Sequence, residues 1–167
     1  MLDSILNNLR VISLSTKTDF RGINTREVAL IEGSAGWGEF SPFIEYDENE
    51  SIPWLISAIE GATQPRAKAA RKYIDINATL PAVNTRAEVE NILSWYPGAE
   101  TVKIKVGTGA DKDLARIKFV TEILPNAALR LDVNGTWDVE EALEFIYSFY
   151  DSFDEDLLQY IEQPCAT

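Results

Sequence analysis

The 167-residue chain contains no histidine, one cysteine and one methionine. Without histidine there is no imidazole triad, and Cys165 has no second cysteine for a disulfide or a zinc finger. Any chemistry must rest on carboxylates, lysines or hydroxyls. Positive charge is scarce as well: 15 Lys+Arg stand against 27 Asp+Glu, a net charge of −12. That balance opposes binding to phosphate backbones and to anionic lipid, so neither nucleic acid nor membrane is an expected partner. No apolar run approaches the roughly 20 residues of a membrane helix. The segment from Met1 to Asn8 lacks the basic start and long apolar core of a secretory signal, which makes the cytoplasm the default location. Gly-x-Gly-x-x-Gly and phosphate-loop patterns are missing, which counts against a nucleotide-binding sheet.

What is present is a hydrophobic fraction of 46%, enough for a real core. Residues 9–15 alternate apolar and polar, residues 26–32 are rich in aliphatic and β-branched types, and Asp19, Gly22 and Asn24 between them are turn formers. This predicts an antiparallel hairpin with a long, mobile loop. Gly33, Gly36 and Gly38 surround Trp37, and the acids Glu45, Asp47, Glu48 and Glu50 fill a second loop, after which Ser51 is placed to cap a helix. Trp54, Leu55, Ala58, Ile59 and Ala62 fall at helical spacing over 53–62. Residues 1–72 therefore read as a small α+β unit.

From about residue 73 the pattern changes to strands alternating with amphipathic helices, the signature of βαβ units around a parallel sheet. The strands fall at 73–79, 101–106, 128–133 and 157–162. The helices fall at 85–95 with Asn84 or Thr85 as cap, at 111–123 ending before Pro125, and at 138–150 with Asp138 at its start.

Period-two alternation in 101–106 puts Lys103 and Lys105 on one face and Val102, Ile104 and Val106 on the other. Taken alone, that alternation equally allows an exposed antiparallel strand with a solvated lysine face. The strand at 128–133 repeats the arrangement, with Arg130, Asp132 and Asn134 sharing a face; Asn134-Gly135 is also a hairpin signal, which the following helix opposes. Glu162 ends the last strand just before Pro164 and by itself reads as a solvated loop carboxylate. Register changes the balance. Lys105, Asp132 and Glu162 each sit at the C-terminal end of a strand, one βα unit after the last, and in a (β/α)₈ barrel those ends form the active-site face. Two carboxylates there suit a hard divalent cation, magnesium first. A lysine beside such an ion is disfavoured in its charged form, which lowers its pKa toward that of a usable base. A carbon acid next to a carboxylate yields its proton only if the charge that develops is neutralised, and a divalent ion on the carboxylate does that.

Lys103-x-Lys105, Asp132-x-Asn134 and Glu162-Gln163-Pro164 on successive strands resemble the enolase superfamily, muconate-lactonising subgroup. The resemblance implies an α/β fold: an α+β capping domain (1–72) followed by the first four βα units of a modified (β/α) TIM-like barrel (73–167). It implies Mg²⁺ as cofactor, with Asp132 and Glu162 as metal ligands and Asn134 orienting the metal's outer shell. Lys105 becomes the acid–base group, and Lys103 its support and that of the substrate carboxylate. Arg130 then sits near a small-molecule carboxylate substrate, with Phe20, Arg21 and Gly22 in a loop that closes over the site.

Within the subgroup, Phe20-Arg21-Gly22, Arg26-Glu27, the segment from Gly36 to Phe43, the segment from Asn77 to Ala82 and Glu162-Gln163-Pro164-Cys165 are similar to the o-succinylbenzoate synthase family of actinobacteria. That similarity implies a lyase reaction of menaquinone biosynthesis, the syn-dehydration of 2-succinyl-6-hydroxy-2,4-cyclohexadiene-1-carboxylate. N-acylamino-acid racemases, dipeptide epimerases and muconate cycloisomerases share the lysines and carboxylates and stay open as alternatives, as does a non-catalytic interaction module. The family carries a third metal-binding acid on the fifth barrel strand and a second lysine on the sixth. The resemblance therefore implies that these residues are the N-terminal half of an enzyme, truncated and inactive alone.

Overall fold

The computed structural model describes residues 7–20 and 22–166, excepting the side chains of Asp19 and Phe20. The chain separates into two compact units, Met1–Lys72 and Tyr73–Thr167.

In the first unit β1 (Leu9–Phe20), β2 (Ile23–Gly33) and β3 (Gly36–Phe40) form an antiparallel sheet in that order. The expected long loop between the first two strands is replaced by strand. β1 runs on through Thr16 and Thr18, whose branched side chains suit extended backbone, and the pairing resumes at Phe20 opposite Ile23 after an irregularity that begins at Ser15. Gly22, at φ 75°, takes the left-handed conformation at the tip.

β3 was not expected, because glycine is a poor strand former. Its glycines answer a tertiary need. A Cβ on Gly38 would lie 1.7 Å from the carbonyl oxygen of Ala58, and one on Gly33 would lie 2.4 Å from that of Ala62. Helix α1 (Glu48–Thr63) thus rests its backbone directly on the β2–β3 hairpin, with Ala58 and Ala62 buried against Ile31. The helix starts earlier than its apolar spacing suggests. Asp47, not Ser51, is the N-cap, accepting from the Glu50 N–H at 2.9 Å while Glu50 accepts from the Asp47 N–H at 3.1 Å. Pro53 consequently lies inside the helix, at the loss of one backbone bond.

The second unit is a four-stranded parallel sheet in the order β4 (Ala78–Leu80), β5 (Thr101–Lys105), β6 (Ala128–Asp132), β7 (Leu158–Glu162). Helices α2 (Arg86–Leu93), α3 (Ala110–Ile123) and α4 (Val139–Ser152) connect the strands. Capping boxes Thr85/Glu88 and Asp138/Glu141 start α2 and α4. The expected strand at 73–79 shrinks to its last residues: Tyr73, Ile74 and Ile76 are 87, 75 and 74% exposed. Branched residues alone do not make a strand, which also requires a partner for its N–H and C=O groups.

Val102, Ile104, Leu129 and Leu131 are fully buried in one cluster with Val89, Ile92, Ile117, Val120, Phe145 and Phe149 of the helices. The alternate residues of β5 and β6 take the opposite face. Parallel pairing rules out both the solvated antiparallel strand and the hairpin. Asn134 and Gly135, at φ 56° and 70°, instead turn the chain from β6 toward α4. Among the described residues no helix is long and apolar enough to cross a membrane.

Candidate active site

Cross-strand register sets Lys105, Asp132 and Glu162 side by side at the C-terminal ends of β5, β6 and β7, with Lys103, Arg130 and Tyr160 in the row beneath. Holding that register requires a bulge. Leu129 faces Leu158 while Arg130 faces Tyr160, so Gln159 is extra, and Glu162 arrives opposite Asp132 only because of it. Beyond the row, Val133 N–H donates to the Glu162 carbonyl at 3.2 Å and Gly135 N–H to the Gln163 carbonyl at 2.6 Å. Gln163 stands at φ 42°, a left-handed conformation uncommon for a side-chain-bearing residue and typical of functional sites.

Lys103, rather than Lys105, is the lysine between the two acids. Its Nζ lies 3.0 Å from Asp132 Oδ2 and 2.9 Å from Glu162 Oε2. Partial burial pulls the Lys103 pKa down, but hydrogen bonds to Glu162 and Asp132 and their charges outweigh it, so the net displacement is upward. Lys105 Nζ donates to Asn134 Oδ1 and lies 4.0 Å from Asp132 Oδ1, to which Asn134 Nδ2 donates at 2.8 Å. Asn134 thus links Lys105 to Asp132. Arg130 Nε donates to Gln159 Oε1 at 2.8 Å and Nη1 to Asn77 Oδ1 at 3.1 Å, with the guanidinium 5.4 Å from the Tyr160 ring centre.

Lys103, Lys105, Arg130, Asp132, Asn134 and Glu162 are therefore gathered on one sheet face. Gly22 belongs to the first unit, and Arg21 and the Phe20 side chain lie outside the described residues. The sequence reading passes over Asp113 and Arg116, which are fully buried beneath the turn after β5. A signal was present: both share the helical stripe of Ile117 and Val120, so charge sits at core positions.

The donor set suits a hard cation. Two carboxylates already converge on a positive nitrogen at about 3 Å, every donor is oxygen, and magnesium is commonly held by one or two carboxylates together with water and substrate oxygens. Among the described residues no group of three or more acids, histidines or cysteines is placed to hold a metal. The pair Asp132 and Glu162 is what this chain offers.

A parallel sheet with helices on one face, and a lysine–carboxylate row at its strand ends on the other, defines a β/α-barrel type of active-site face. Two family profiles match the chain, one in each unit: Enolase N-terminal domain-like over residues 11–62 and Enolase C-terminal domain-like over 85–167. The chain belongs to the enolase-like family and comprises its N-terminal capping domain and part of the parallel sheet of its barrel domain. It is 45% identical to the o-succinylbenzoate synthase of Mycolicibacterium smegmatis across 99% of its own length and 51% of that protein's. The chain thus spans about half the length of the curated relatives it matches. Among solved structures, o-succinylbenzoate synthase from Thermosynechococcus elongatus, complexed with magnesium in its active site, aligns at TM-score 0.60 with 22% identity, over 95% of this chain and 61% of that one. A mandelate racemase/muconate lactonizing protein from Herpetosiphon aurantiacus aligns at TM-score 0.71 with 19% identity, over 94% and 60%. At such identities these structures speak to fold alone.

Proposed function

We propose that this chain is the capping domain (1–72) and leading barrel portion (73–167) of a magnesium-dependent lyase that dehydrates 2-succinyl-6-hydroxy-2,4-cyclohexadiene-1-carboxylate to o-succinylbenzoate, a cytoplasmic step of menaquinone synthesis. The observation that carries the choice of reaction is the 45% identity to a synthase of this kind over 99% of the chain. The lysine–carboxylate row supports the chemistry.

Asp132 and Glu162 would hold the magnesium, with Lys103 vacating the position between them. A bound magnesium ion would neutralise charge building on the substrate carboxylate as the neighbouring carbon loses its proton. Lys105, at the rim of the row, takes that proton: the C–H bond breaks, its electron pair forms the new C=C bond, and the C–O bond on the adjacent carbon, on the same face, breaks. The lysine then returns the proton to the departing hydroxide, which leaves as water. Syn geometry lets one amine serve both transfers from one face. Asn134 holds Asp132 and the Lys105 amine at fixed separation. Arg130, one row beneath, supports the substrate from below.

The test is an absorbance assay of the cyclohexadiene in the intact gene product. Loss of the diene with magnesium, abolished by chelation and restored by readdition, is the expected result. Turnover of N-acylamino acids or dipeptides with no dehydration overturns the substrate assignment.

A further inference from the structure

Beneath the turn that follows β5, Arg116 Nη1 lies 2.7 Å from Asp113 Oδ1, and both side chains are fully buried. The chemistry above uses neither. Burying two charges is expensive, and apolar residues of the same volume commonly stabilise a core as well or better, so stability gives little reason for the pair. Its hydrogen bonds give another. Asp113 accepts from the N–H groups of Gly107 and Thr108 at 2.8 and 3.0 Å and from the Thr108 hydroxyl at 2.6 Å. Arg116 donates through Nη1 to the carbonyl oxygen of Lys105 at 2.8 Å and through Nε to that of Val83 at 2.6 Å. The clamped turn is seated in its turn: Gly107 stands at φ 89°, and a Cβ there would meet Thr136 Oγ1 at 2.4 Å, in the connection just past Asn134. The backbone of Lys105 is thus tied to Arg116, and its amine to Asn134 in the adjoining connection.

We propose that Asp113 and Arg116 are positioning residues that fix the main chain of Lys105, so that its amine meets the substrate C–H bond at transfer distance. The inference rests on Lys105 being the base. A guanidinium bonded by two carbonyls and a carboxylate cannot slide, whereas apolar side chains filling the same volume would let the strand end drift, and a drift of about 1 Å can cost about a hundredfold in rate.

The test uses the intact gene product with magnesium and the cyclohexadiene carboxylate, unlabelled and deuterated at the carbon next to the carboxylate. The variants are Asp113→Asn, Arg116→Lys and the volume-matched double variant Asp113→Leu/Arg116→Met, with Lys105→Ala as control. Positioning predicts kcat lowered about ten- to a hundredfold per folded molecule, KM within about twofold, and a primary isotope effect larger than wild type because proton transfer becomes slower than other steps. A double variant with wild-type kcat and isotope effect overturns the inference alone. So do variants whose activity falls only with their folded fraction, and so does failure of every variant to fold, since each makes the pair a structural element. Wild-type turnover by Lys105→Ala removes the base assignment, and the inference with it.

Discussion

The ammonium of Lys103 on β5 reaches past β6 and lies 2.9 Å from Glu162 Oε2 on β7. Three strands are thereby tied at their C-terminal ends by one side chain, which also lies 3.0 Å from Asp132. The folded state holds the Lys103 proton more tightly than the unfolded chain does, because the two carboxylates outweigh the opposing effect of burial. The stabilisation is complete below the ordinary lysine value of 10.5 and is lost as pH rises through the higher folded value. In metal-free protein, wild type should exceed Lys103→Met in stability by about 1–2 kcal/mol near neutrality, with the gap closing at strongly alkaline pH. Urea unfolding of both proteins at neutral and alkaline pH measures it, and a gap that stays constant refutes the assignment.

Asn134 couples the Lys105 amine to Asp132 from a backbone at φ 56°. Glycine tolerates that conformation, so Asn134→Gly removes the amide without straining the turn. Second-layer partners of metal ligands are worth about 10–100-fold in affinity. Calorimetric titration with magnesium should show a loss in that range with the melting temperature nearly unchanged. Unaltered affinity would mean that Asp132 is oriented without Asn134.

Much of the site was legible because it depends on period two. Once β5 and β6 are known to be parallel and covered by helices on one side, Lys103, Lys105, Arg130 and Asp132 have only one face left to occupy. The capping boxes at Thr85 and Asp138 are equally local. What was not legible depends on tertiary approach. The glycines of β3 look like loop until α1 lies on them, the bulge at Gln159 exists only relative to Arg130, and which lysine stands between the acids depends on reach across two strands. Asp113 and Arg116 went unmarked although they share an apolar stripe, because their partners, the Gly107–Thr108 turn and the Lys105 and Val83 carbonyls, come together only in the fold.

The two glycines at the α1 contact should respond in opposite directions. A methyl on Gly38 would collide with the Ala58 carbonyl at 1.7 Å, so Gly38→Ala must push α1 off the sheet, at a cost of about 1–3 kcal/mol. Gly61 lies inside α1 and its added Cβ would meet Gly38 Cα at 3.5 Å, an ordinary contact. Gly61→Ala should therefore stabilise by about 0.5–1 kcal/mol through a stiffer unfolded chain. Thermal melts of the two variants separate the cases; equal effects would mean that the helix does not sit on bare backbone.

Lys105 carries the sharpest prediction. Its side chain is about a third exposed, lies 4.0 Å from Asp132 and bonds Asn134, so arginine can occupy the position and keep a positive charge there. If the residue only balances the charge of Asp132, Lys105→Arg should work within a few-fold of wild type. If it is the base, charge cannot substitute for it, because a guanidinium stays protonated at any working pH and has no lone pair to take a proton. Lys105→Arg and Lys105→Ala should then be alike in losing turnover, by at least the ~10²–10⁴-fold typical of a general base and by more if the same amine also protonates the leaving hydroxide. Magnesium affinity should survive in both, since Asp132 and Glu162 remain. Dehydration rates and magnesium titrations on the two variants decide between the readings, and an active arginine variant would move the acid–base role to another residue.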